Sequence, residues 1–353
     1  MNSTLPIILA FDFYGDGNIG DDLMLAGFLS GLNTLDYPAR VAGTSRNGLA
    51  SRRKRFPAIS WHTPQEFAVL GTAEYAEGIL AGVGGTPFQM TCGRKWFLDF
   101  LLEQKKAFKG LRRVMVNIGA EAEIRSHLDE FKIAVSEYDR ISARDEFSAG
   151  LAREALGGAA DRVRASGDLA TLALKQVVFP KGGRTARSII LAGDTLQDQD
   201  LVAVAEYLAG AKSTVDFIVN DVSPYDTMEQ ALYRRVAPRR FFGLARRGTL
   251  RIPDYDTADW RELLVPYRSS EVVVSTRYHG LLCSAYSGCR TGAIARSSKV
   301  AALASQLKVP FCTPPLTAAK IADVFDNACL VDASILRGME ARALDGIDFC
   351  LRS

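Results

Sequence analysis

The segment with the most chemistry in it is Val274-Ser275-Thr276-Arg277-Tyr278-His279-Gly280-Leu281-Leu282. A run of valines, the mark of a buried strand, ends in a guanidinium and an imidazole where a helix begins. A histidine at such a point suits proton transfer or anion contact near neutral pH. A lone histidine is more often a satisfied structural group, but the adjacent Arg277 and the strand-end position favour function for His279. His279 and Cys283, four residues apart, share a helical face, yet two ligands make a poor metal site. One strand–helix unit later, Arg296-Ser297-Ser298-Lys299-Val300 brings Lys299 to a similar turn. Lys299 is either a second cation for the same anion or a solvated lysine at a helix start.

Three earlier segments carry weaker signals. Phe11 to Asp22 runs from a strand through Gly15, Gly17 and Gly20 into a helix. Open backbone amides and a helix N-terminus there suit a phosphate or carboxylate. The spacing matches neither the Walker pattern nor the dinucleotide GxGxxG, and Asp21 and Asp22 serve equally well as helix caps. Gly84-Gly85-Thr86 stands at another strand end, where parallel α/β sheets hold their ligands, although taken alone an ordinary tight turn is the better reading. In Ser142-Ala143-Arg144-Asp145, Arg144 either clamps an oxyanion bidentately or makes a structural contact with Asp145.

The elements that must position these residues alternate. Strands are predicted at 6–13, 40–43, 78–83, 113–118, 140–143 and 163–165, with helices at 22–32, from Thr63, at 95–108, 121–136 and 146–156. Thr63-Pro64-Gln65-Glu66 combines an N-cap, a proline at the first helical position and a capping-box glutamate. Lys181-Gly182-Gly183 then interrupts the pattern as a linker. A second series follows: strands at 188–192, 215–219, 271–276 and 292–295, and helices at 198–208, 227–236, 281–286 and 298–307. Strands alternating with helices imply βαβ units and a largely parallel sheet. Two such halves, 1–180 and 181–353, predict two Rossmann-like domains facing a cleft and resemble the glycosyltransferase-B architecture. The first carries the glycine loops and Arg144, and the second carries Arg277, His279 and Lys299.

Composition bounds the function. The chain has 353 residues, 48% of them hydrophobic, enough for two cores and against a disordered or fibrous protein. Forty-three basic against 40 acidic residues give a net charge of +3, too balanced for a nucleic-acid specialist. No run of about 18 uncharged apolar residues is present to span a bilayer. The N-terminal residues lack a charged leader, which predicts no signal peptide and a cytoplasmic location, with the inner membrane face open. Six cysteines without a CxxC pair read as free thiols, and with three histidines they predict no metal site. Trp96, Phe97, Phe100 and Leu101 have the spacing of a helix's buried face. Arg234, Arg235, Arg239, Arg240, Arg246, Arg247 and Arg251 form a basic stretch, most simply a solvated surface. It also suits an anionic acceptor or peripheral contact with a membrane.

Taken in order, the segments resemble the polysaccharide pyruvyl transferase family. Its members open with a strand and a G-x-x-N-x-G-D-E-like loop, here Gly15 to Asp22, with a glycine before Asn18 and Asp22 in place of Glu. A G-G-[ST] loop corresponds to Gly84-Gly85-Thr86, and S-x-R-D to Ser142 to Asp145. S-x-R-x-H corresponds to Ser275 to His279, and a later lysine to Lys299. The resemblance spans roughly residues 7–308. It departs at Asp168-Leu169, where the family often has Asp-Pro.

The resemblance implies transfer of the pyruvyl group of phosphoenolpyruvate (PEP) to two hydroxyls of one sugar, with a cyclic ketal formed and phosphate released. The acceptor would be an exopolysaccharide or cell-wall glycan precursor, lipid-linked or nucleotide-linked. PEP is a trianion for which Arg144, Arg277 and Lys299 would supply cations. His279 would transfer a proton or contact the phosphate, and Asn18, Gly20, Asp21, Gly84, Gly85 and Thr86 would hold the acceptor or a phosphate group. No cofactor or metal is expected. Two other readings fit the same architecture: a nucleotide-sugar-dependent glycosyltransferase, and a non-catalytic glycan-binding or scaffold protein. Oligomeric state is not legible in the chain.

Overall fold

The computed structural model describes residues 5–45, 49–66, 78–88, 110–179, 183–192, 196–211, 213–222, 229, 250–255 and 259–352. The expected helix at 95–108, that at 227–236 apart from Glu229, the aromatic face Trp96–Leu101, Cys92 and the arginines from Arg234 to Arg247 lie outside these residues. So do Lys181 and Gly182 of the expected linker.

The chain forms two units. The first comprises Met1–Gly15, Asp21–Ala173 and Gly338–Ser353, and the second comprises Asp16–Gly20 and Leu174–Arg337. Both units are discontinuous, so the division falls in several places rather than at the single point, 180/181, that the glycine linker suggested.

In the first unit the elements are β1 (Leu5–Leu9), α1 (Ile19–Thr34, whose first two residues belong to the second unit), β2 (Ala39–Thr44), α2 (Leu49–Arg55), β3 (Ile59–His62) and β4 (Ile79–Val83). There follow β5 (Arg112–Ile118), α3 (Leu128–Val135), β6 (Arg140–Ala143), α4 (Glu146–Leu156), β7 (Val163–Ala165) and α5 (Ala170–Leu174). The described strands form a parallel sheet ordered β3-β2-β1-β4-β5-β6-β7. The order reverses between β1 and β4, so both strands' carboxyl ends open at a switch point, the place where such sheets hold ligands. β4 is buried along its whole length, as a central strand covered on both faces must be.

The second unit contains β8 (Ala186–Ile190), α6 (Asp198–Gly210), β9 (Val215–Ile218), β10 (Leu250–Arg251), β11 (Ser270–Ser275) and α7 (Tyr278–Tyr286). It continues through β12 (Arg290–Ile294), α8 (Ser298–Leu307), β13 (Phe311–Cys312) and α9 (Ala318–Asn327). Its parallel sheet is ordered β10-β9-β8-β11-β12-β13, with the switch point between β8 and β11. The core packs Val204, Tyr207 and Phe217 with Val272, Val274, Ile294 and Phe325. The last helix, α10 (Ala333–Leu351), starts in the second unit and from Gly338 belongs to the first.

Several expected elements shift. The first strand ends at Leu9 rather than residue 13, and Phe11 and Phe13 stack on each other at 5.2 Å instead. The helix expected at 121–136 is a 3-10 turn, Ala122–His127, followed by α3. At Thr63 the capping box forms in both directions, with the Thr63 amide donating to Glu66 at 2.7 Å and the Glu66 amide to Thr63 Oγ1 at 3.2 Å.

Candidate active site

In the second unit, β11 delivers its terminal residues to the switch point. Val273 and Val274 are fully buried, and the Ser275 hydroxyl pins the turn beyond them. It donates to the Arg277 carbonyl and accepts from the Arg277 amide, each at 3.0 Å. Arg277, in extended backbone, is the N-cap of α7. Gly280 lets α7 start so close to the strand, because a Cβ there would lie 2.3 Å from Ser275 Oγ.

The Arg277 guanidinium lies between two carboxylates. Nε donates to Glu229 Oε1 at 2.5 Å, and Nη2 is 3.5 Å from Asp221 Oδ2. Glu229 Oε2 accepts the amides of Asn220 (2.5 Å) and Asp221 (3.2 Å). Burial pushes the Glu229 carboxyl up from 4.5 to about 7. The desolvation outweighs Arg277 and the Asn220 amide, and Asp221 adds to the rise.

His279 lies in the first turn of α7, its ring edge-on to Tyr278 at 5.3 Å. Its support is the glycine loop. The segment Asp16–Gly20 pairs with residues beyond β9: Asn18 bridges Asp221 antiparallel, the Ile19 amide donates to the Asn220 carbonyl (3.0 Å) and the Val222 amide to the Gly17 carbonyl (2.9 Å). Asn18 Oδ1 accepts the Gly20 amide at 2.9 Å. Gly20 then lies against the imidazole so closely that a Cβ would fall 2.0 Å from Nδ1. Lys299 is the second residue of α8, half-buried, after the neighbouring strand β12. The two turns are tied by Arg296, whose Nε donates to the Thr276 carbonyl at 3.0 Å. Arg277, His279, Asn18, Gly20 and Lys299 thus all belong to one unit.

The first unit gathers the other nominated residues. Gly84 and Gly85 have φ of 61° and 76°, a left-handed turn that favours glycine. The turn is fixed by hydrogen bonds from the Gly84 amide to Val116 and from the Gly119 amide to Gly85, both 2.8 Å. Arg144 follows β6 and is almost fully buried. Its Nη2 donates to Thr86 Oγ1 at 3.1 Å, while Asp145 and Asp168 stand at ion-pair distances of 3.5 and 3.9 Å. Both carboxylates also cap helices: Asp145 accepts the Ser148 amide (2.7 Å) and Asp168 the Ala170 amide (2.9 Å). Arg144 therefore makes the Asp145 contact that the sequence offered as its structural role, and it also joins the Gly84–Thr86 loop.

Of the two adjacent aspartates, Asp22 is the anchor. It is fully buried, ion-paired with Arg55, and accepts the Gly15 amide at 2.6 Å. Burial raises its carboxyl above the usual range, against the pull of Arg55 and the Gly15 amide. Asp21 is partly exposed, and its charge adds to the burial that raises the Tyr14 hydroxyl well above its usual pKa.

Sequence reasoning missed Glu229, Asp221 and Gly119. A Cβ on Gly119 would lie 2.5 Å from Arg144 Cζ, so this glycine makes room for the guanidinium. Its position directly after β5 was a readable signal. Glu229 had none, because no motif or strand end marks it. Among the described residues no group of three His, Cys, Asp or Glu side chains is placed to hold a metal ion, and no helix is long and apolar enough to cross a membrane.

Solved structures share this fold at low identity. UDP-GlcNAc 2-epimerase from Neisseria meningitidis, bound to UDP-GlcNAc, superposes with a TM-score of 0.61 at 10% identity, covering 99% of this chain and 100% of that one. A glycosyltransferase from Rickettsia africae gives 0.55 at 12%, covering 99% and 96%. Anabaena HepE, in complex with UDP and glucose, gives 0.55 at 12%, covering 98% and 95%. With the two β-sheet orders, these likenesses establish two Rossmann-like domains of glycosyltransferase-B-like architecture. No curated protein sequence matches the chain. The polysaccharide pyruvyl transferase family model matches residues 18–298, from Asn18 of the glycine loop to the first residue of α8. That span includes the strand-end residues Arg144, Arg277 and His279, and on it the chain belongs to the polysaccharide pyruvyl transferase family.

Proposed function

We propose that the protein transfers the pyruvyl group of PEP to two hydroxyls of one sugar in an exopolysaccharide or cell-wall glycan precursor. Carbon 3 of PEP takes a proton and becomes a methyl group, carbon 2 gains oxocarbenium character, and the first hydroxyl oxygen bonds to it. The second hydroxyl oxygen then displaces phosphate from carbon 2 and closes the ketal. Of the two hydroxyl protons, one balances the methyl group and the other leaves with the phosphate. PEP is itself an activated donor, so this route calls for no resident cofactor.

The observation that carries the reading is the pair Arg277 and His279 at the switch point of the second unit, in a chain of this family. Arg277 and Lys299 suit the negative charge of PEP, and His279 suits proton transfer or contact with the departing phosphate. Arg144, hydrogen-bonded to Thr86, suits a further anionic group, and the Gly84–Thr86 turn and the Asn18 loop suit the acceptor or its phosphate. The acceptor is lipid-linked or nucleotide-linked, and the reaction belongs to the cytoplasm or the inner membrane face, where PEP is available.

Incubation with PEP and a lipid-linked or nucleotide-linked sugar tests this. A ketal product and inorganic phosphate in equal amounts are expected. No PEP binding and no product with either acceptor class would overturn it. The UDP complexes among the structural neighbours favour one rival, a nucleotide-sugar-dependent glycosyltransferase. Thermal shift separates the two: stabilisation by a UDP-sugar and none by PEP would favour the rival.

A further inference from the structure

Glu229 lies outside every segment whose sequence pattern suggested chemistry, yet it joins Arg277 to the backbone at Asn220 and Asp221. Oε1 accepts Arg277 Nε at 2.5 Å. Oε2 accepts the amides of Asn220 and Asp221 at 2.5 and 3.2 Å. Asn220 and Asp221 are in turn the residues that pair with Asn18 and Ile19. The paired loop ends at Gly20, against the His279 ring. One side chain, 2% exposed, therefore joins the cation to the strip of backbone that supports the imidazole.

An arginine at a helix start has many rotamers, and selecting one before a ligand arrives lowers the ordering cost of binding. Two carboxylates hold this guanidinium in different ways. Asp221 faces Nη2 at 3.5 Å, an ion-pair distance, whereas Glu229 makes a short hydrogen bond to Nε. A carboxylate on Nε fixes the plane of the guanidinium, and with it the direction of the remaining N–H donors. We propose that Glu229 is a positioning residue, which holds the Arg277 guanidinium in the orientation that receives the PEP anion. This rests on the pyruvyl-transfer reading. Among the described residues, the charged and titratable groups around Glu229 include Arg277 and Asp221, with Tyr267 and Tyr255 hydrogen-bonded to Asn220 at 2.9 and 2.8 Å. Burial raises the Glu229 carboxyl to about 7, and Arg277 and the Asn220 amide oppose that rise only in part.

The test is calorimetric PEP binding and steady-state kinetics on Glu229→Gln in the full chain. The amide keeps an acceptor for the two backbone N–H groups but turns a donor toward Arg277. The expected result is a PEP dissociation constant and KM about tenfold higher, equivalent to about 1.4 kcal/mol, with the acceptor KM within about twofold of wild type. In an Arg277→Lys background, Glu229→Gln should weaken PEP binding by less than about twofold more, because a residue acting through Arg277 is not additive with it. Equal rises in both KM values, or full additivity, would show a general structural role and overturn the proposal. Unchanged PEP binding in a folded Glu229→Gln variant overturns it too, and leaves pyruvyl transfer standing. Failure of the wild-type chain to bind PEP removes the functional reading itself. Should Glu229→Gln not fold, Glu229→Asp takes its place, withdrawing the carboxylate by one methylene. A PEP dissociation constant about threefold higher then supports the proposal and an unchanged one overturns it.

Discussion

A methyl group on Gly20 would fall 2.0 Å from His279 Nδ1, so Gly20→Ala must move either the imidazole or the start of α1. If the ring position serves proton transfer, turnover should fall about a hundredfold, the loss expected for a displaced acid or base. The melting temperature should fall by only a few degrees, so initial rates and a melt on one sample check both. Thr86→Val is the milder probe of the first unit. It keeps the side-chain volume but removes the oxygen that accepts Arg144 Nη2 at 3.1 Å. Activity should drop about tenfold, in line with a lost charged hydrogen bond of about 1.5 kcal/mol or more. Glu229 gives a prediction about pH. Its pKa of about 7 in the folded chain lies above the ordinary 4.5, so folding stability from this group is complete below pH 4.5 and is lost as pH rises through 7. Between pH 5 and 8 the wild-type chain should lose up to about 3 kcal/mol of unfolding free energy relative to Glu229→Gln. Urea titrations at the two pH values read this, and a constant difference refutes it. At this scale the legible residues were those at strand ends, because a strand's carboxyl end is a place sequence can locate. Glu229 reaches Arg277 from 48 positions away and carries no local mark.

Elements touch where side chains are absent. Gly27 lets α1 approach the segment before α5, and a Cβ there would lie 1.8 Å from the Leu169 carbonyl oxygen. Gly27→Ala should cost at least the 1–3 kcal/mol or so typical of overpacking, since backbone cannot yield as a side chain can. Gly150, inside α4, meets nothing within 4 Å, so the same substitution should stabilise by about 0.5–1 kcal/mol through helix propensity. Paired denaturation curves give both signs in one experiment. Several strands were readable: 140–143 and 163–165 match β6 and the edge strand β7, and the valine run marks β11 to within a residue. The valine run of β11 is a continuous apolar stretch of the kind a buried parallel strand makes, and such a stretch stands out. β10 and β13, two residues each, are too short to carry a pattern, and the edge strand β3 alternates buried and partly exposed residues over only four positions. α2 was hidden for another reason. Leu49–Arg55 has four basic residues in a row, which looks solvent-facing, yet Arg52 and Arg55 are buried around Asp22 and beneath Gly15.

In the whole molecule sequence reasoning left out every element past Leu307, the last recognisable motif being behind it, and the longest element there is α10. Within the first unit its later turns accept the Asn117 amide at Ala343 (2.9 Å) and the Arg112 guanidinium at Cys350 (2.7 Å) and Leu351 (3.0 Å). Asn117 holds φ of 54°, a left-handed conformation that asparagine tolerates and that aims its side chain at this helix and at the Gly167 carbonyl. A chain ending at Arg337 should leave β5 without these partners. Hydrogen exchange of the β5 amides should then quicken about tenfold or more, while amides of β11 and β12 change little. Uniform loss of protection in both units would contradict that. The family motifs made the two strand-end groups legible but not the discontinuity of the units, because residues 16–20 look continuous with their neighbours in sequence and join the second unit only through long-range pairing. That discontinuity has a consequence for anyone who would cut or splice the gene. The stretch from 174 to 337 is an insertion within a host formed by both ends of the chain, and the host lends it five residues in return. A swap of either half between relatives at the apparent linker therefore exchanges parts of both, and a working chimera needs residues 16–20 and 338–353 to travel with the halves they complete.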